Sequence, residues 1–277
     1  MRIHHLNCGC MCPIGGKLFD GFSKGLTARL ACHCLLIETD AHGLVLVDTG
    51  LGTRDMRAPA ERLTPFFRVF NNIRYAMDLT ALAQVQALGF AASDVRHIVL
   101  THLDFDHAGG LEDFPGAQVH LLQREMDSAR ATRGFIARNR YRAKQWENIS
   151  DWHFYAPDGD AWFGFERTRA LDGLPPEIRL IPLPGHTLGH AGVAIESENG
   201  WLLHVGDAYF YRGEVGQPKR SCTPGLKLYQ RMMEADRTAR LENQARLRAL
   251  SIAHQKQVQM FCSHDALELR QMQVETR

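Results

Sequence analysis

Apolar and polar positions divide the chain into short alternating blocks. Apolar, largely β-branched runs at 31–38, 43–47, 96–101, 117–122, 177–183, 191–196, 201–205 and 259–262 predict strands, and residues 1–7 predict an edge strand. Two strand pairs are joined by hairpin-like links, Thr-Asp-Ala-His after the first run and Ser-Glu-Asn-Gly before residue 201. Leu79, Leu82, Val85 and Leu88 recur every third residue and predict a helix over 78–88, ended by Gly89. Further helices are expected at 123–131, across a long Arg, Glu, Gln and Leu-rich segment at 229–254, and at 265–272. Residues 12–16 read as a turn. Strand pairs thus alternate with helices in two similar halves, without a visible internal repeat.

The polar residues gather where these runs stop. The strand at 96–101 leads into Thr101-His-Leu-Asp-Phe-Asp-His-Ala-Gly-Gly110, which places His102, Asp104, Asp106 and His107 at a strand end beside a Gly-rich turn. In an extended segment alternate residues share a side, so His102 and Asp104 face one centre while Asp106 and His107 turn toward another. Two imidazoles and two carboxylates so close are costly inside a fold, and divalent metal ions are the usual compensation. Taken alone, the stretch also fits a solvated polar loop. However, Pro184-Gly-His-Thr-Leu-Gly-His190, Leu203-His-Val-Gly-Asp207 and Phe261-Cys-Ser-His264 repeat the placement of a His or Asp after an apolar run.

With these motifs the chain resembles the metallo-β-lactamase fold superfamily, from about residue 30 to 265. The resemblance implies an α/β (α+β) four-layer αββα sandwich, one domain over 1–277, with active-site insertions near 51–78 and 132–176. It implies that His102, Asp104 and His186 hold one metal ion, that Asp106, His107 and His264 hold a second, and that Asp207 bridges them. Asp104 stands where most members have His. The extra carboxylate makes the implied centre, with its bridging hydroxide, neutral, and hardens the first site. Zinc leads, with iron or manganese admitted by Asp104. Asp48 is implied to orient the metal-binding loops, although an Asp opening a turn before Gly50 explains the local residues equally well. His190 and His204 are expected to support the ligands or to be simply buried.

The motif Leu-Asp-Phe-Asp-His-Ala-Gly-Gly, the Gln-Arg-Glu opening of the helix at 123 and the Pro-Gly-His-Thr-x-Gly-His stretch are similar to those of N-acyl homoserine lactonases. The implied activity is hydrolysis of a lactone or related ester by a metal-bridging hydroxide, with Asp106 moving the proton. Tyr209 is a candidate hydrogen-bond donor to the substrate carbonyl. Related lactonases carry that Tyr one position later, where this chain has Phe210, so packing is the leading reading of Tyr209 and Tyr211 is a weaker rival. A thioester hydrolase of the glyoxalase II type shares the same core. A diiron oxidoreductase is a further alternative, weakened because no flavin domain follows, and a scaffold without catalysis is opposed by the retention of all seven ligands.

Composition bounds the remaining roles. The chain has 277 residues, 45% hydrophobic, and a net charge of +1, so no overall bias favours nucleic acid or a membrane surface. The basic run Arg138-Asn-Arg-Tyr-Arg142 reads as a solvated helix face. No export signal is evident at Met1 and no run approaches spanning length, which leads to an expectation of a cytoplasmic protein acting on a small molecule. Seven cysteines suit a reducing compartment, and Cys8, Cys10, Cys12, Cys32 and Cys34 are expected to pack as small core residues rather than bind metal. The aromatic residues of 51–78 fit an acyl or aryl pocket, a homodimer contact, or packing on the sheet edge. The aromatic residues of 132–176 are expected to form a small core of their own over the active-site face.

Overall fold

The computed structural model describes residues 1–275, so the last two residues of the expected 1–277 domain lie outside the described residues. Among the described residues thirteen strands build two mixed sheets. The first contains β1 (Arg2–Met11), β2 (Leu30–Glu38), β3 (Leu44–Val47), β4 (Ile73–Arg74), β5 (Val95–Val99), β6 (Gln118–Leu122) and β7 (Trp152–Tyr155) in the order β4-β1-β2-β3-β5-β6-β7. The second contains β8 (Asp160–Trp162), β9 (Phe165–Ala170), β10 (Ile178–Pro182), β11 (Ala191–Ser197), β12 (Gly200–His204) and β13 (Val258–Phe261) in the order β13-β12-β11-β10-β9-β8. Strands β3, β5, β6 and β7 run parallel, as do β12 and β13, and the remaining pairs are antiparallel.

The period of two along each strand decides the layering. Leu35, Ile37, Val45, Val47 and Val99 of the first sheet meet Ile178, Leu180, Val193, Ile195, Leu202 and Phe261 of the second in one buried core. Their neighbours Cys34, Leu36, Leu44, Leu46 and Ile98 face outward, onto Ala81 and Val85 of helix α1 (Ala81–Ala87) and Met126 and Ala129 of α2 (Gln123–Ala131). On the other side Ile181, Ala194 and Leu203 pack on Leu247 and Leu250 of a long helix. The result is the helix, sheet, sheet, helix order of an αββα sandwich. Each fully buried Leu, Ile or Val in these layers stabilises the fold by roughly 1.5–3 kcal/mol.

Three segments depart from the sequence reading. The helix expected at 229–254 is two, α4 (Pro224–Met233) and α5 (Arg237–Ala253). Asp236 caps α5 by accepting from Ala239 N at 3.0 Å, and the freed Ala235 and Asp236 N–H groups donate to Gly185 O, both at 2.9 Å. An unbroken Arg, Glu and Leu pattern hides such a cap. Second, residues 152–170 supply β7 at one edge of the first sheet and β8 and β9 at an edge of the second. Their aromatic residues accordingly join existing cores, Trp162 and Phe165 on the outer face of the second sheet. Third, residues 53–70 fold into short helices, the last of them Pro65–Phe70, with Pro at its start and the Thr64 hydroxyl accepting from Phe67 N. Phe67 of that helix lies on Phe105, with ring centroids 5.0 Å apart.

Candidate metal centre

Four loops carry the polar residues, and all leave the same end of the two sheets. β5 ends before His102, Asp104, Asp106 and His107; β10 before His186; β12 before Asp207; β13 before His264. Because β10, β12 and β13 point the same way, their ends meet above the inter-sheet core. Ala191 N donates to Thr101 O at 2.9 Å, which ties the two sheets together at this edge.

The seven expected residues converge and all are buried. His102, Asp104, His186 and Asp207 form one donor group, with ligand atoms within 4.8 Å of one another. His107, Asp207 and His264 form a second, and Asp106 and His264 a third that also contains the Cys32 thiol. Asp207 lies in the middle: Oδ2 is 3.3 Å from His186 Nε2 and 3.2 Å from His264 Nε2, and Oδ1 is 3.4 Å from His107 Nε2.

Buried polar partners aim these rings. Asp48 accepts from Thr101 N and Thr101 Oγ1, both at 2.8 Å, and its Oδ2 lies 2.8 Å from His107 Nδ1. Its backbone takes a left-handed φ of 56°, a conformation that costs a non-glycine residue about 1–3 kcal/mol. His102 Nδ1 meets Thr101 Oγ1 at 2.9 Å, and His264 Nδ1 meets Ala31 O at 2.6 Å. In each ring Nε2 is therefore left facing the centre. His190 accepts from Asp207 N at 2.9 Å through Nε2 and pairs with Leu183 O at 3.0 Å through Nδ1. His204 accepts from Gly206 N at 3.1 Å, in the turn before Asp207.

Electrostatics separate the three carboxylates. Burial raises the Asp104 carboxyl, but the Arg140 guanidinium and His102 outweigh it and hold it well below the usual carboxylate range. Asp207 is likewise held low, against burial, by His264, His107 and His186. Asp106 is pushed up by burial, with Asp207 and Asp104 adding to the effect. Burial and Arg140 push His186 down to about 4.

Two residues that complete the centre escape a reading of the sequence. Glu125, fully buried in α2, accepts from Leu103 N at 3.1 Å, Thr187 Oγ1 at 2.6 Å and Gly189 N at 3.1 Å, bracing the loop after β5 against the loop after β10. Arg140 ends helix α3 (Gly134–Arg140), and it overturns the expectation of a solvated basic face, being 3% exposed. Its Nη2 lies 2.6 Å from both Asp104 Oδ2 and His186 Nε2, and its Nη1 donates to His186 O at 3.0 Å and Met233 O at 2.9 Å. The signal was the additional carboxylate at Asp104, which calls for a cation without saying which arginine supplies it.

Tyr209 is a correction. Its side chain is fully buried on the outer side of the second sheet and its hydroxyl donates to Glu268 at 3.1 Å, so it is held by packing and not by the centre. Phe210 takes the place beside the donor cluster, stacked on His264 at 5.0 Å and 5.6 Å from His186. Tyr211 lies under the Arg212 guanidinium, 4.5 Å from ring centroid to Cζ. Among the cysteines, Cys8, Cys32 and Cys34 are buried, whereas Cys10 and Cys12 are partly exposed with their sulfurs 3.4 Å apart. Beside the centre a cavity of about 590 Å³ opens between α2, α3 and the end of α4, lined by Phe135, Ile136, Leu188 and Met232 with Arg140 in its wall. No helix among the described residues is long and apolar enough to cross a membrane.

A two-sheet sandwich flanked by helices, with His and Asp donors converging from the ends of its strands, defines the αββα class of fold with a candidate metal centre at one edge. A model of the metallo-β-lactamase superfamily matches residues 27–249, and the chain belongs to that superfamily. A probable metallo-hydrolase of Mycobacterium tuberculosis is 38% identical over 265 residues, 96% of this chain and 80% of its own length. The N-acyl homoserine lactonase AttM of Rhizobium johnstonii is 31% identical over 135 residues, 48% of each chain. A solved N-acyl homoserine lactone hydrolase, with the product N-hexanoyl-L-homoserine at its catalytic metal center, superposes with a TM-score of 0.71. It is 20% identical, and the match covers 98% of this chain and 95% of that one.

Proposed function

We propose that this protein is a hydrolase dependent on two divalent metal ions, zinc foremost, that opens a lactone or cleaves a related small-molecule ester. The observation that carries the reading is a set of buried atoms, His102 Nε2, His107 Nε2, Asp104 Oδ1 and Asp207 Oδ1, without hydrogen-bond partners among the described residues. Leaving each of these unpaired costs about 1–3 kcal/mol, and a cation held between them removes that cost. The residues fit the ions: His102, Asp104 and His186 would hold one, Asp106, His107 and His264 the other, with Asp207 between. Nitrogen and oxygen donors suit zinc, and three carboxylates also admit iron or manganese. Bound there, the ions would supply Lewis acidity and bring water ionisation near neutral pH.

The protein's own groups do the rest. Asp48, Thr101 and the Ala31 carbonyl hold the ring orientations of His107, His102 and His264. Asp106, whose carboxyl is raised by burial, is the group suited to take a proton on its carboxylate and deliver it to the leaving alkoxide. Phe210, against the rings of His186 and His264, keeps water off the ligands. The apolar cavity beside Arg140 has the volume of a small-molecule site and accommodates the hydrocarbon part of the substrate.

The test is a hydrolysis screen of lactones, oxoesters, thioesters and phosphoesters, run with elemental analysis and with chelator followed by zinc. Lactone or oxoester cleavage that chelator abolishes and zinc restores is the expected result. A thioester preference would move the substrate class, and bound iron without hydrolysis would refute the reading.

A further inference from the structure

The two halves of the centre are not equivalent, and Arg140 makes the difference. Its Nη2 stands 2.6 Å from Asp104 Oδ2 and 2.6 Å from His186 Nε2, the donor atoms that the first half would offer to an ion. Among the described residues no lysine or arginine pairs with Asp106 or Asp207, where the close contacts are to histidines: His264 Nε2 to Asp106 Oδ2 at 3.6 Å and His107 Nε2 to Asp207 Oδ1 at 3.4 Å. We propose that the Arg140 guanidinium is a tethered competitor for the metal ion at the His102, Asp104 and His186 half, so that the centre loads in a fixed order. The first ion enters beside Asp106, His107 and His264. The second enters only when Arg140 releases Asp104 and His186. This inference rests on the metal-dependent reading above.

Three features support it. A buried carboxylate needs a cation, and at Asp104 the guanidinium and the ion are alternative partners for the same oxygen. Two cations cannot share that contact at short range in a poorly solvated site without strong repulsion. The guanidinium also has somewhere to go. Its Nη1 is held by the His186 and Met233 carbonyls, and the side chain forms part of the wall of the 590 Å³ cavity, where Asp127 offers another carboxylate. A small rotation of the head group therefore frees Asp104 while Arg140 stays anchored to the backbone.

The experiment is a zinc titration of chelator-treated full-length protein against a chromophoric chelator, repeated with cobalt so that absorption bands report each site. Wild type should bind two ions in separate steps, the second about a hundredfold weaker or more, the scale of a broken buried ion pair. In R140M the second step should tighten about tenfold or more while the first moves less than about threefold. R140K keeps the charge and should keep the order. Two steps of equal affinity in wild type, or an unchanged second step in a folded R140M, overturn the proposal. Should R140M fail to fold, wild type and R140K decide it. Ordered loading without hydrolysis of any ester would sink the proposed function and leave this inference standing, whereas a protein that binds no ion overturns both.

Discussion

Replacing Glu125 with glutamine keeps its shape and removes one of its two acceptor oxygens. In the native protein Oε1 accepts from Leu103 N, and Oε2 accepts from Thr187 Oγ1 and Gly189 N. Placing the amide oxygen at the Oε2 position preserves two bonds and turns the amide NH2 against the Leu103 N–H. The opposite placement turns it against the Gly189 N–H. The Gly189 loop has no room to shift toward the helix, since even a Cβ there would lie 2.1 Å from Glu125 N. One buried N–H is thus left unsatisfied, at about 1–3 kcal/mol, and the surviving bonds lose their charge assistance, at about 1 kcal/mol each. The sum is about 3–5 kcal/mol. In a chain of this size it corresponds to a fall in Tm of roughly 6–10 °C. Scanning calorimetry on chelator-treated protein isolates this effect from metal binding. A fall of less than about 2 °C would refute the claim that Glu125 braces the ligand loops.

The other predictions concern residues away from the ligands. Tyr209→Phe deletes one buried hydroxyl bonded to Glu268, whose carboxyl burial and Asp265 push up to about 8. It should cost about 1 kcal/mol in a urea titration and leave kcat and KM for any ester substrate unchanged; a large drop in kcat would return Tyr209 to the site. His97 and His120 sit 3.0 Å apart in a chain that ends on the Tyr155 hydroxyl, and burial with their neighbours' charge pushes them down to about 4 and about 3. Unfolded, each takes a proton near pH 6.5, so their contribution to stability is complete above that pH. It is lost as pH falls through about 6.5 toward 4 and 3, at up to about 1.4 kcal/mol per pH unit for each histidine. Urea midpoints of the chelator-treated protein across pH 7 to 4 should therefore fall less steeply in His120→Gln than in wild type; parallel curves would contradict this.

Much of the architecture is legible because it depends on local periodicity. The alternation in Leu35, Leu36, Ile37 and in Leu44, Val45, Leu46, Val47 specifies two buried faces, and β3, β5, β10, β12 and β13 each end shortly before a His or Asp. The strand at the N terminus shows the limit. Read as an edge strand over 1–7, it runs from Arg2 to Met11 and pairs with β2 on one side and β4 on the other. Its last residues Cys10 and Met11 pair with Ala31 and Leu30 of β2, and its place inside the sheet is decided by β4, a two-residue partner too short to register as a strand in the sequence.

The sequence by itself determined the strand runs and the His and Asp clusters that follow them, since both are written in residue spacing along single strands and loops, while the sandwich and the seven-donor set came from the family resemblance those motifs carry. Only the tertiary structure decided what surrounds those donors. Arg140 reaches Asp104 across 36 residues, Glu125 reaches Gly189 across 64, and the Tyr209 hydroxyl turns to Glu268 across 59. These pairings depend on which helix packs over which loop, and a buried charge chooses its partner by proximity in the folded chain, which no local pattern encodes.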